Sequence, residues 1–351
     1  MLSNESFVLL LGVVLSIVVC WACKRLPEER WQFLASVPIM KDSNGRWLGL
    51  NFTYYGLLTA NALVFGVALL VILMGSLRIP SVVTISLTFA VLVPCLPAAR
   101  WVARLVEGKQ CTFTVAGAFF VGVFIAPVVI AVFNSQIAGS GVRPLPMIPS
   151  LAAMMIAYAF GEGLGRLACI SFGCCYGVAL DQAPPMLRRI FDRWHFVFSG
   201  NLKKIAYDGA LEGKQVLPIQ ALTALLYILV GLIATWLFLN SFFATSFLIT
   251  MIVTQGWRVY SETLRADYRG EGKISAYQVM GMLAILFALV LSYLLPTDQL
   301  LAAELSAGIE TVWQPLVLLA LQTLWVVVFI QFGKSMVTGA EISFHLHHDR
   351  I

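Results

Sequence analysis

Charged side chains are scarce in this sequence. Lys, Arg, Asp and Glu together make up 12% of its 351 residues, whereas 60% of the residues are hydrophobic. Soluble globular domains carry about 25% charged residues. A chain with so little charge cannot cover its apolar surface in water. The composition therefore excludes a soluble protein and predicts a polytopic membrane protein.

The sequence also lacks the features of several other classes. It has no repeat of fixed period and no low-complexity linker. Only Glu5 is charged before the first apolar run, so this run has no basic leader segment and we interpret it as a membrane span rather than a secretory signal. The seven cysteines include Cys20 and Cys95 inside apolar runs, which is not the pattern of a secreted disulfide framework. We expect the membrane as a partner, and no nucleic acid.

Long apolar runs are the dominant feature instead. Nine runs of roughly 17–25 residues are each long enough to cross about 30 Å of hydrocarbon as a helix. The predicted fold is an all-α polytopic membrane protein with about nine transmembrane helices. The runs are centred near Val14, Val64, Phe89, Val121, Ala157, Leu229, Ile249, Phe287 and Val326.

The basic residues are divided unevenly between the two predicted sides of the membrane. If the N-terminus lies on side A, that side holds Arg78 and Arg143, and the other 21 of the 23 Lys and Arg residues lie on side B. The positive-inside rule then predicts that side B is cytoplasmic.

The longest polar connection, 178–218, lies between the fifth and sixth runs. Pro184-Pro185 interrupts it, and LRRIFDRWHFVF then mixes bulky apolar and basic residues, as an interfacial helix or short strand does. Segment 203–216 is typical of a hairpin or loop. We predict a small extramembrane head here.

Charged residues at membrane depth are costly and often functional. In GEGLGRLAC (161–169), Glu162 and Arg166 are four residues apart, so a helix places them on one face where they can pair. In WRVYSETLRADYRG (257–270), Arg258, Glu262 and Arg265 have the spacing of one helical stripe. A buried ion pair and a solvated helix end are the structural alternatives to a functional site.

Arg166, Arg258 and Arg265 all fall on side B near the predicted membrane surface. The guanidinium fork is suited to bidentate recognition of phosphate. Three converging arginines predict a site for the head of an anionic phospholipid. Polar groups near this side are Tyr54 and Tyr55, which membrane anchoring also explains, and Gln220.

The cysteines of GRLACISFGCCYG (165–177) allow three interpretations. Cys169, Cys174 and Cys175 have no nearby histidine, and adjacent cysteines are expected to point in different directions, which does not suit one tetrahedral zinc ion. A reactive thiolate beside Arg166 is a second possibility. We favour a tight turn packed with small side chains, and expect no metal.

Taken in order, these motifs resemble those of the prolipoprotein diacylglyceryl transferase family. GEGLGRLACISFGCCYG (161–177) is similar to the family signature, in which a Gly-Arg pair ends a span and a glycine-containing turn follows. WRVYSETLRADYRGEGKISAYQ (257–278) is similar to the family's Arg-x-x-x-Glu-x-x-Arg end and the Ser-x-x-Gln start that follows it. Further similar stretches are NFTYYGLL (51–58), EGKQCTFTVAGAFFVG (107–122) and VLPIQ (216–220).

The resemblance implies a domain organisation and a reaction. A seven-helix core would occupy 51–295, including the head at 178–218, and the segments 1–50 and 296–351 would each add one span. The family transfers the diacylglyceryl group of phosphatidylglycerol to the lipobox cysteine thiol of a prolipoprotein, in the bacterial inner membrane. Glycerol phosphate is the leaving group, and no metal or other cofactor is required.

The resemblance also implies roles for particular residues. By motif position, Arg166 and Arg258 hold the phosphate, while Glu262 orients Arg258 or helps to move a proton. Arg265 supports the cluster. The other implied substrate-binding or turn-shaping residues are Glu162, Tyr54, Tyr55, Gln220, Gly165, Gly173 and Gly177.

The sequence departs from the family pattern on the side of the acceptor. The family's His-Gly-Gly in the third span is replaced by Val115, Ala116 and Gly117, its asparagine after the signature arginine by Cys169, and its turn acid by Cys174. The His-Pro-x-Gln-x-Tyr-Glu pattern is reduced to LPIQALT. We therefore expect recognition of an anionic lipid, with either a lipobox thiol or a small molecule as acceptor. A non-catalytic lipid-binding or transport protein is the alternative.

The membrane orientation has two conflicting predictions. The family places its arginine cluster on the periplasmic side, whereas the charge bias places side B in the cytoplasm. We favour the periplasmic orientation for side B, because the fold determines which helix ends form the site.

Overall fold

The computed structural model describes residues 3–108, 114–137, 144–267, 274–295 and 302–351. Arg143, Arg269 and parts of two family-like motifs lie outside these ranges. The helices within them are α1 (Asn4–Arg25), α2 (Tyr54–Ser76), α3 (Ser81–Glu107), α4 (Val115–Ile137), α5 (Met147–Phe172), α6 (Pro185–Phe191), α7 (Lys204–Tyr207), α8 (Ile219–Leu239), α9 (Phe243–Ser261), α10 (Ala276–Leu294), α11 (Leu305–Val312) and α12 (Pro315–Gly333). The strands are β1 (Phe33–Lys41), β2 (Trp47–Thr53), β3 (Phe196–Val197), β4 (Gln215–Val216) and β5 (Lys334–Ile342).

Each of the nine predicted runs forms a long helix, and the all-α polytopic fold is confirmed. In the described part of the chain, eight helices are long and apolar enough to cross a membrane, one fewer than predicted. The exception is α9, which carries a buried polar face with Thr250, Thr254, Gln255 and Arg258. Because α9 packs against α5, α8 and α10, this face lies inside the bundle.

The helix α5 lies at the centre of the bundle, packed against α2, α8 and α9. Small residues allow the close approach that such packing needs. A Cβ atom built on Gly66 of α2 would lie 2.8 Å from the carbonyl oxygen of Ala157, so only glycine permits this contact. Side chains on α5 are therefore held on a rigid, mostly buried element.

A three-stranded antiparallel sheet lies outside the bundle, with the strand order β1-β2-β5. It joins the connection before α2 to the segment after α12. Thr53 ties the sheet to both helices, because its Oγ1 caps Gly56 at the start of α2 and donates to the carbonyl of Gly333 at 3.0 Å. The sequence did not predict this sheet, and the predicted boundary between residues 50 and 51 falls inside β2.

The predicted head, 178–218, consists of short elements. α6 is followed by β3, which pairs with β4 across the connection containing α7, in line with the predicted short helix or strand and the following hairpin. The ammonium of Lys203 is buried and donates to the carbonyls of Leu26 at 3.2 Å and Ser171 at 2.6 Å. The head is thereby fixed to the carboxyl ends of α1 and α5.

Candidate functional site

An ion cluster links the two central helices α5 and α9. Glu162 and Arg166 pair within α5, as their spacing predicted. Arg258 reaches the same Glu162 Oε1 atom from α9 through its Nη2 atom at 3.3 Å, and also donates to the Tyr158 hydroxyl at 3.0 Å. One carboxylate therefore serves two guanidinium groups from facing helices.

This cluster is buried and carries a net positive charge. The side chains of Arg166, Arg258 and Glu162 are 14%, 7% and 8% exposed. Two arginines and one glutamate sum to +1, and the Nε atom of Arg166 is buried with no hydrogen-bond partner among the described residues. Burying an uncompensated charge is unfavourable, so the cluster is suited to binding an anion.

Arg265 belongs to a separate ion cluster. It donates to both carboxylate oxygens of Asp267, at 2.8 and 2.6 Å, and lies 3.7 Å from Glu262. The predicted continuous stripe from Arg258 to Arg265 is wrong, because α9 ends at Ser261 and a 3-10 turn follows it. Arg265 itself has an extended backbone, with φ −92° and ψ 146°.

The turn after α5 brings the two ion clusters close together. Gly173 ends α5 with φ +73°, a left-handed conformation that suits glycine. Val178 then donates to the carbonyl of Leu264 at 3.0 Å, so the turn pairs with the chain after α9. A Cβ atom on Gly177 would lie 2.5 Å from the carbonyl oxygen of Leu217, which leaves no room for a side chain. The turn-shaping roles proposed for Gly173 and Gly177 have this physical basis.

Three thiols converge at the carboxyl end of α5 and in the turn that follows it. The sulfur atoms of Cys169, Cys174 and Cys175 lie within 4.8 Å of one another. The expectation that the adjacent cysteines diverge is wrong, because Cys175 has a left-handed backbone (φ +57°) that breaks the ordinary alternation of side chains. Hydrogen bonding by the other two thiols, with the nearby charges of Arg265 and Arg166, holds the pKa of Cys175 well below its usual range.

The structure brings some of the predicted polar residues to this site and not others. Gln220 donates through Nε2 to the carbonyl of Cys174 at 2.9 Å. Tyr55 packs on Phe172, the last residue of α5, with a ring-centroid distance of 5.5 Å. Tyr54 packs instead on Trp31, at 5.1 Å.

Gly165 borders open space beside the site. A Cβ atom built on this residue meets no atom of the described chain within 4 Å. No other described residue therefore covers α5 at this position.

Sequence reasoning missed Tyr158 as a member of the site. Tyr158 precedes Glu162 by four residues, so the same helical spacing that paired Glu162 with Arg166 was a usable signal. Its contact with Arg258 depends on the packing of α9, which no local pattern predicts.

No protein-family model matches this chain, and no curated protein sequence matches it. The resemblance to the diacylglyceryl transferases therefore stands on the motifs alone.

Proposed function

We propose that the protein binds the phosphate of an anionic phospholipid at Arg166 and Arg258 and transfers the lipid's diacylglyceryl group to a thiol acceptor. The observation that carries this proposal is the sharing of Glu162 by both arginines, which leaves a net charge of +1 on these three side chains. A phosphodiester carries one negative charge and matches this surplus. By resemblance, the lipid is phosphatidylglycerol, the acceptor is a prolipoprotein cysteine, and the protein resides in a bacterial inner membrane.

The position of the cluster suits a lipid headgroup. Arg166 lies six residues before the end of α5, which corresponds to about 9 Å along the helix. Arg258 lies three residues before the end of α9. Both arginines are therefore near the same end of the bundle, within reach of a phosphate at the membrane boundary.

The chemistry of the proposed transfer balances with these residues. The acceptor thiol gives its proton to solvent, and its sulfur attacks the glycerol carbon of the diacylglyceryl group. The carbon–oxygen bond breaks, and its electron pair leaves with glycerol phosphate. Arg166 and Arg258 stabilise the phosphate as charge develops on it. Glu162 positions both arginines, the role that the sequence suggested for Glu262.

A non-catalytic protein that binds or transports anionic lipid is the second candidate. Of the four histidines, His195 is in the head, where its ring contacts the carbonyls of Phe191 and Asp192, and the others are in the exposed tail. No imidazole is therefore placed to accept the proton of an acceptor thiol, which favours binding without transfer.

Complementation tests these candidates. Wild type, Arg166→Ala and Arg258→Ala are expressed in bacteria depleted of their own diacylglyceryl transferase, with the exposed head residue Arg188→Ala as a matched control. Transfer to lipoproteins predicts rescue by wild type and by the control, and loss of rescue in both site variants. A new lipid product without rescue indicates a small-molecule acceptor. Lipid binding with neither outcome supports the non-catalytic protein. Rescue by Arg166→Ala equal to wild type contradicts the proposed phosphate site.

A further inference from the structure

The thiols of Cys169, Cys174 and Cys175 have the geometry of a metal site. Among the described residues, these three thiols form the one group of His, Cys, Asp or Glu side chains whose ligand atoms lie close enough together to hold a metal ion. Three thiolates bound tetrahedrally to zinc at about 2.3 Å place their sulfurs about 3.8 Å apart. The observed separations, all within 4.8 Å, allow this arrangement with small side-chain adjustments.

The backbone holds the three cysteines in place. Cys169 lies in the last turn of α5, and its carbonyl accepts hydrogen bonds from Gly173 at 2.9 Å and Cys174 at 3.1 Å. Gln220 fixes the Cys174 carbonyl from α8. A ligand set that is preorganised in this way loses little conformational entropy on binding an ion.

The ligand atoms restrict the kind of ion. Sulfur ligands select zinc, Cu(I) or iron–sulfur clusters and disfavour Mg²⁺ and Ca²⁺, which prefer oxygen.

We propose that Cys169, Cys174 and Cys175 bind a zinc ion whose fourth coordination position takes the acceptor thiol. Three protein ligands and one open position are typical of catalytic zinc. The adjacent-cysteine objection raised from the sequence does not apply to the folded turn.

The role of the zinc site in transfer rests on the proposed function. On binding zinc, the acceptor thiol releases its proton to solvent and becomes a bound thiolate. Its sulfur then attacks the glycerol carbon, and glycerol phosphate leaves with the electron pair of the broken carbon–oxygen bond. The zinc ion keeps its charge throughout. This site supplies the deprotonation for which no histidine is present.

Metal binding is measured first, by a direct titration that does not depend on enzymatic activity. The full chain is purified in detergent, stripped with a chelator and titrated with zinc alone, and with cobalt as a coloured substitute. We expect one ion per chain and a thiolate-to-cobalt charge-transfer band. Loss of a neighbour of a metal ligand costs 10- to 100-fold in affinity, so each variant Cys169→Ser, Cys174→Ser and Cys175→Ser is expected to lose about 100-fold or more. The double variant Cys20→Ser, Cys23→Ser, which removes a cysteine pair on α1, is expected to bind as wild type.

A second measurement keeps the test valid if a serine variant fails to fold. In wild type, zinc is expected to protect the three thiols from alkylation by N-ethylmaleimide. Mass spectrometry measures the alkylation of each cysteine separately. Absence of stoichiometric zinc, or equal alkylation of the three cysteines with and without zinc, overturns the metal site.

The open position is tested with a short peptide containing one cysteine. The peptide is expected to change the cobalt charge-transfer band of wild type, and the same peptide with serine is expected not to. No change with the cysteine peptide overturns the acceptor role while leaving the metal site intact. The proposed transfer can fail independently of the metal site. In that case the protein binds zinc and the peptide, but no lipid product forms in the complementation experiment.

Discussion

At the scale of single residues, Glu162 has the largest influence on the site. Its carboxylate is the shared partner of Arg166 and Arg258, and none of the three side chains is more than 14% exposed. Removing one partner from a buried ion pair leaves the others without compensation, which is strongly destabilising. The site and the packing of α5 on α9 are therefore coupled through one side chain.

Glu162→Gln is expected to destabilise the protein by about 3–5 kcal/mol, because two buried guanidinium groups lose their counter-ion. Thermal unfolding in detergent measures the change. Glu341→Gln is the matched control, since Glu341 pairs with Arg46 on the surface and is 66% exposed; its change is expected to stay below about 1 kcal/mol. Equal melting temperatures for the two variants contradict the role of Glu162 as the counter-ion of both arginines.

Lys203 predicts a pH dependence of stability. Burial lowers its pKa to about 8, opposed by the charge of Glu29, whereas an unfolded lysine titrates near about 10.4. Between these values the unfolded chain binds more protons at this residue, so the contribution of Lys203 to stability rises with pH from about 8 to about 10.4.

The measurement compares unfolding midpoints of wild type and Lys203→Met across this range. The midpoint of wild type is expected to rise relative to that of Lys203→Met as the pH increases from 8 to 10. Lys204→Met serves as the neighbouring control. A difference that is constant with pH contradicts the lowered pKa.

At the scale of elements, the turn after α5 determines how the site is assembled. It pairs with the chain after α9, so the ends of both helices and the three thiols occupy one region. The 3-10 turn Glu262–Leu264 then directs Arg265 away from Arg258 and towards Asp267. Two ion clusters with different partners result from one break in a helix.

Gly177→Ala is expected to destabilise the protein by about 1–3 kcal/mol, because its Cβ atom would lie 2.5 Å from the Leu217 carbonyl oxygen. Gly165→Ala is the matched control: its Cβ atom meets open space, and the better helix propensity of alanine changes stability by about 1 kcal/mol or less. Thermal unfolding of both variants tests the difference. A melting temperature of Gly177→Ala equal to that of wild type contradicts the predicted clash.

At the scale of the whole molecule, the head, the sheet and the site lie at one end of the bundle. The sheet joins β2, which precedes α2, to β5, which follows α12. Lys203 fixes the head to α1 and α5 at the same end. This end corresponds to side B, where most of the basic residues lie.

The orientation of this end is tested by labelling Lys214→Cys, an exposed position of the head. The periplasmic orientation predicts that an impermeant thiol reagent labels this variant in intact cells, above the level of the parent chain. Labelling only in permeabilised cells contradicts the periplasmic orientation and agrees with the cytoplasmic orientation that the charge bias predicts. Lys203 is unsuitable for this experiment because its side chain is buried.

The sequence by itself determined the class of the protein, the positions of its long helices and the pairing of Glu162 with Arg166. These features depend on apolar runs and on the repeat of the α-helix, which are local properties of the chain. The polar face of α9 shows the limit of such patterns. Its helix was predicted, but its place inside the bundle was not.

Only the tertiary structure decided which distant residues meet. Arg258 contacts Glu162 across 96 positions of sequence, and Asn51 of β2 contacts Thr338 of β5 across 287. The left-handed backbone at Cys175 turned two adjacent cysteines towards a third. Such contacts depend on how helices pack and where each one ends, because packing joins side chains that no sequence spacing relates.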